Sequence, residues 1–214
     1  MAEQRNVLDD HTLALVALAA AIARGEESAL RERVDDAAEA GVPNAWIDEL
    51  ILQSTLMVGY PRTLIAASLW RAAAGVPAED AGTDLDYGDH ETWTRRGEET
   101  CHRVYGENYN RLRRNVATLH PALDAWMLTE GYGRTLSRPG LDLKRREFCV
   151  IVQTAVLNTP RQLHSHLRGA LHAGATFEEV ENVLSVANPL LSYDDWKAVK
   201  ELWEHVQDAW SRLA

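Results

Sequence analysis

The sequence predicts an all-α protein built from two tandem helical repeats, and three observations carry that prediction. Apolar residues recur at spacings of three and four along most of the chain, and no stretch sustains the alternation of a strand. Glycine and proline stand where helices of ordinary length would stop or start. A displacement of 133 positions lays residues 14–70 over 147–203 without a gap. Under that shift Leu30 meets Leu163, Ala37 meets Ala170, and Ala40-Gly41 meets Ala173-Gly174. Tyr60 meets Tyr193, and Leu69-Trp70 meets Leu202-Trp203, while Ile47, Leu50 and Met57 find apolar partners in Val180, Val183 and Leu190.

The elements follow in order. A first helix covers about 12–24 and stops at Gly25, and a second covers about 26–40 and ends at Gly41. Pro43, tolerated in a first turn, opens a third helix through about Val58. Gly59 and Pro61 break it, and a fourth runs to about Ala74. The Gly- and Asp-rich stretch 75–90 reads as a linker. Helices are then expected at about 91–104, 106–117 and 121–131, followed by the turn SRPGLD at 137–142. Four more fall at about 142–157, 160–173, 177–187 and 192–212. Thr176 and Glu179 make a capping box, each side chain satisfying the other's free N–H. Trp196, Trp203 and Trp210, seven apart, form one packing stripe on the last helix. The chain therefore divides into a degenerate repeat at 1–74, a linker at 75–90 and a complete domain at 91–214.

Composition narrows the function. Apolar residues are 46% and charged residues 25% of 214, the proportions of a globular protein rather than a disordered, fibrous or membrane chain. A net charge of -10 excludes the basic face of a nucleic-acid binder. The acidity lies in residues 1–93, with 17 Asp+Glu against 6 Lys+Arg, whereas 94–214 carry 15 against 16. An anionic substrate is therefore expected in the second half. Two cysteines, Cys101 and Cys149, with no CxxC, exclude a disulfide scaffold and a cysteine-rich zinc site. The apolar run Leu13–Ala23 follows Asp9 and Asp10 and is too short to span a bilayer, so a cytoplasmic protein without membrane contact is expected.

Residues 136–184 carry the most specific pattern. The turn RPGLD at 138–142 precedes a helix bearing Arg146 and Glu147, and HLRGALHAGAT at 166–176 runs into the helix EEVENVL. This stretch, with the helix region from about Gly97, resembles the carboxymuconolactone decarboxylase family, which includes the AhpD-like hydroperoxidases. In the hydroperoxidase branch a glutamate precedes a CxxC motif, with a histidine four residues past its second cysteine. Placing that histidine at His166 puts the glutamate at Glu147 and the cysteine positions at Thr159 and Gln162. Neither residue forms a thiolate, so the dithiol cycle has no nucleophile here.

The decarboxylase branch lacks the cysteines and keeps the histidine, as this chain does. The resemblance implies cofactor-free removal of carbon dioxide from 4-carboxymuconolactone. It implies His166 as general acid/base near neutral pH, Glu147 as its orienting partner and Arg138 as a bidentate carboxylate clamp. Thr159 and Gln162 become substrate-binding candidates. Decarboxylase members do not generally carry a glutamate at the Glu147 position, so the chain mixes features of the two branches. Single-repeat relatives form rings, which makes a homo-oligomer, a trimer foremost, the expected assembly. A divergent proton-transfer or isomerisation enzyme, or a non-catalytic oligomeric scaffold, are the alternatives. His164, Arg168 and His172 share another helix face, where the intervening arginine disfavours a metal.

Overall fold

In the computed structural model, which describes residues 7–75 and 89–212, these residues form helices and no strand. The expected linker lies almost wholly outside the described residues. The first repeat is α1 (Asp10–Arg24), α2 (Glu27–Glu39) and α3 (Asn44–Ala74). The middle of the chain gives α4 (His90–Tyr105), α5 (Tyr109–Leu119) and α6 (Pro121–Trp126), which continues into a π-helix at Met127–Leu136. The second repeat is α7 (Leu143–Val156), α8 (Pro160–His172), α9 (Phe177–Ala187) and α10 (Tyr193–Ser211).

The repeat register is reproduced by the element boundaries. Adding 133 to the starts of α1, α2 and α3 gives the starts of α7, α8 and α9. Gly59, at φ 71° and ψ 172°, leaves helical geometry, and Pro61 has no N–H to donate, so α3 is two helical segments that meet at a kink where the sequence predicts a break. The equivalent of Gly59 in the second repeat, Ser192, is the N-cap of α10 and separates two helices. The difference is local: Ser192 captures the Asp195 N–H and starts a fresh helix.

The copies pack as two related halves. α1 lies on α7, α1 also touches α9, and α7 likewise touches α3. Arg145 Nε donates to Thr12 Oγ1 at 2.8 Å, and these two residues occupy equivalent positions of the repeats. Equivalent residues meet where an approximate two-fold axis relates two copies. Arg145 also pairs with Asp142 and Asp9, the equivalent N-caps of α7 and α1. The main core is shared between the halves: Leu15, Leu18 and Ile22 of α1 bury with Phe148, Ile151 and Val152 of α7. Trp203 is buried, and Trp196 and Trp210 pack partly buried against this core, so the tryptophan stripe is a packing stripe.

A second, smaller core binds the middle helices to the site. α4 lies against the π-helix with Cys101, Val104, Leu128, Tyr132 and Leu136 between them. Two glycines permit this approach: a Cβ on Gly97 would collide with Leu128 O, and one on Gly133 with Trp93 O. The π geometry at 127–136 was not foreseen; the helix expected to end near 131 runs to Leu136 in the wider turn.

Candidate active site

Helix α7 is buried on nearly every side, so the polar side chains it carries must find partners inside the protein. Two adjacent residues solve this in different directions. Glu147, fully buried, meets His166 of α8: Oε2 and Nδ1 are 2.8 Å apart. Arg146, also fully buried, turns toward α3, where its Nη2 donates to Glu49 Oε2 at 2.8 Å and its Nη1 to Gln53 Oε1 at 3.1 Å. Burial lowers the affinity of the Arg146 guanidinium for its proton, and the Glu49 carboxylate opposes that fall.

The pair of Glu147 and His166 is built by close helix approach. Gly169 stands one turn after His166, where a Cβ would collide with Glu147 Oε2 and with Val104 of α4. Only a residue without a side chain lets α8 descend onto the carboxylate. His166 is 6% exposed, and its Nε2 has no hydrogen bond among the described residues. An ionised Glu147 would accept a hydrogen bond from Nδ1–H, which leaves Nε2 as the open ring nitrogen. Glu147 Oε1 is buried without a hydrogen-bond partner among the described residues.

Two tyrosines complete the surroundings, and neither was singled out from the sequence. Tyr132 of the π-helix and Tyr105 at the end of α4 bring their hydroxyls to 3.2 Å. Burial pushes the Tyr105 phenol up to about 12; hydrogen bonding to Tyr132 opposes this and the Glu147 charge adds to it. Burial likewise holds Tyr132 well above the usual range, with the charges of Tyr105 and Glu147 adding to it. Both phenols are therefore protonated donors near neutral pH. Isolated tyrosines 27 residues apart carry no pattern; the in-helix glycines 97 and 133 were the only signal that these helices approach closely.

Burial pushes the thiols of Cys101 and Cys149 up to about 12, so neither is a thiolate nucleophile.

The remaining candidates lie elsewhere. Arg138, expected as a carboxylate clamp, meets a carboxylate of the chain itself: its Nε donates to both oxygens of Glu49, at 3.0 and 3.1 Å. Glu49 stands 89 residues earlier, too far for local spacing to reveal the pair. Thr159 is half-buried at the start of α8 and donates to Thr154 O, and Gln162 is exposed on the same helix. No group of His, Cys, Asp and Glu among the described residues is arranged to hold a metal ion. No described helix is long and apolar enough to cross a membrane.

The fold and the paired carboxylate and histidine define a class, and the comparisons agree with it. The chain belongs to the carboxymuconolactone decarboxylase family, whose model matches residues 1–81 and 121–205. Both repeats fall within the match. A crystal structure from Burkholderia xenovorans, of a protein provisionally named a gamma-carboxymuconolactone decarboxylase subunit, shares the fold. Its TM-score is 0.53 at 21% identity, over 98% of this chain and 80% of that one. Peroxisomal protein 2 of Schizosaccharomyces pombe is 28% identical over 147 residues, which is 65% of this chain. The aligned part spans 65% of that relative's length.

Proposed function

We propose that the protein is a cofactor-free enzyme of the decarboxylase type, acting on a small carboxylated lactone such as 4-carboxymuconolactone. The observation that carries this is the buried contact of His166 with Glu147 in a family member whose two thiol positions are Thr159 and Gln162. In the reaction the bond between the ring carbon and the carboxylate breaks. Its electron pair stays on the ring and spreads into the lactone carbonyl, and carbon dioxide leaves. A proton from His166 Nε2 then closes the step, with Glu147 stabilising the imidazolium in the interim. The imidazole recovers its proton from water. The protonated phenol of Tyr105, which accepts from Tyr132, is a donor suited to charge developing on the lactone oxygen.

A second reading keeps the same proton chemistry on another substrate, as an isomerisation. It is favoured by the ion pair of Arg138 with Glu49, which takes up the arginine expected to hold a substrate carboxylate. We place the protein in the cytoplasm, a reducing compartment that suits its two free, buried thiols. We also propose a homo-oligomer, a trimer first. Leu52 and Leu56 before the kink at Gly59, and Tyr60 and Leu64 after it, are exposed apolar residues of α3, with Tyr60 at 66% exposure.

The test is ultraviolet detection of 4-carboxymuconolactone loss, with wild type and His166→Ala. Turnover that vanishes in a folded His166→Ala variant supports the decarboxylase reading. Absence of wild-type turnover above the uncatalysed rate refutes it.

A further inference from the structure

The two repeats differ at one groove. In the first repeat Arg62 closes the end of α1: its Nη1 donates to Ala23 O, and its guanidinium covers Gly25 so closely that a Cβ there would collide with it. Displaced by 133 positions, Gly25 becomes Asn158 and Arg62 becomes Asp195. Gly25 and Asn158 are both left-handed, at φ 79° and 52°, although the helix ends differ: Gly25 N–H donates to Ala21 O, whereas Asn158 N–H donates to Ala155 O and Thr159 N–H to Thr154 O. Asn158 is the one described residue other than glycine with a positive φ.

With the arginine replaced, the second repeat keeps a cavity of about 330 Å³ between the end of α7, the start of α8 and α10. That volume is within the range of small-molecule pockets. Leu163, Val199 and Leu202 give it an apolar wall, and Asp195, Glu201 and Asn158 give it polar groups. Asp195 accepts from Ser192 Oγ at 2.7 Å and from Asn158 Nδ2 at 3.1 Å, both neutral donors. No cation among the described residues pairs with it. Glu201 reaches only the exposed Lys197, at 3.8 Å. The acceptor that Arg62 uses, Ala23 O, corresponds to Val156 O, which lies in the last turn of α7 where carbonyls have no intrahelical donor.

We infer that this groove binds a small organic cation, an amine or amidinium on a short apolar body, where the first repeat holds its own guanidinium. The site goes beyond the proposed reaction. Neither His166 nor Glu147 lines it, although Thr159 and His205 do, and its two carboxylates suit the charge opposite to that of a carboxylated substrate.

Benzamidine titrated into ¹⁵N-labelled protein tests this, with benzoate as the control of like shape and opposite charge. Benzamidine should shift amides of residues 154–163 and 195–205 and leave the rest unchanged, whereas benzoate should shift none of them. Asp195→Arg restores the residue of the first repeat and should abolish the shifts. Glu201→Gln, at an exposed position, should raise the dissociation constant about two- to fivefold, the weight of one solvent-screened charge pair. Absence of benzamidine shifts at these residues overturns the inference. So does equal binding of benzoate, or unchanged binding by Glu201→Gln, which decides the matter even if Asp195→Arg does not fold.

Discussion

Glu147 occupies a position that only a polar partner makes tolerable. A buried carboxylate without hydrogen bonds is costly, and His166 supplies one at 2.8 Å. Gly169 makes the contact sterically possible, so Gly169→Ala should displace the carboxylate even though the helix itself prefers alanine. A loss of about 1–3 kcal/mol is expected in urea unfolding, as for overpacking in a core, together with a fall in kcat. The cysteines give a second test at this scale. Native protein should resist thiol reagents at pH 8, and both thiols should react once it unfolds. Their native values near 12 exceed those of the unfolded chain, so the folded state holds more protons above about pH 9, and stability should fall as pH rises from there toward 12. Glu147 and His166 could be named from the motif. Their contact could not, because 19 residues and a helix turn separate them. Arg138 could be read as a partner for a carboxylate, but that Glu49 is such a partner could not, because it comes from another repeat where no local spacing points to it.

At the scale of elements, α7 joins two seams through consecutive residues, Arg146 facing α3 and Glu147 facing α8. Arg146→Ala would leave Glu49 buried with one cation fewer. The expected loss is about 3–5 kcal/mol, as for breaking a buried ion pair from one side, read from the midpoint of denaturant unfolding. Most helix boundaries were legible in the sequence because their caps are local: Asp142 at α7, Thr176 with Glu179 at α9, Ser192 at α10. The break at Gly59 was legible too, from Gly59 and Pro61 themselves, but the π-helix at 127–136 was not: it lies where the backbone of Gly133 meets α4, a contact that no local spacing announces.

For the molecule as a whole, the repeat is the organising fact. It was legible in the sequence as a gapless register, though not as a geometry. Thr12 and Arg145 are chemically unlike, and only the fold shows that they meet across an approximate two-fold axis. Burial alone would raise the carboxyls of Asp9 and Asp142. The hydrogen bonds of Thr12 and Arg145 to Asp9, those of Arg145 to Asp142, and the Arg145 charge outweigh burial and hold both below the usual carboxylate range. The stability they contribute is present above the unfolded carboxylate range near 4 and is lost as pH falls through their lowered native values. Arg145→Met should therefore flatten the acid limb of stability against pH below about pH 4, measured by circular dichroism. The exposed apolar residues of α3 belong at this scale too. Light scattering should give a mass that is a multiple of 23.9 kDa, three-fold first, and Leu56→Glu should reduce it.

The most direct measurement compares kcat/KM for 4-carboxymuconolactone in wild type, His166→Ala, Glu147→Gln and the double variant. If carboxylate and imidazole act as one proton-transfer unit, each single variant is slowed and the double variant is no slower than His166→Ala. Full activity in Glu147→Gln, losses that multiply in the double variant, or no turnover by the wild type would contradict that role.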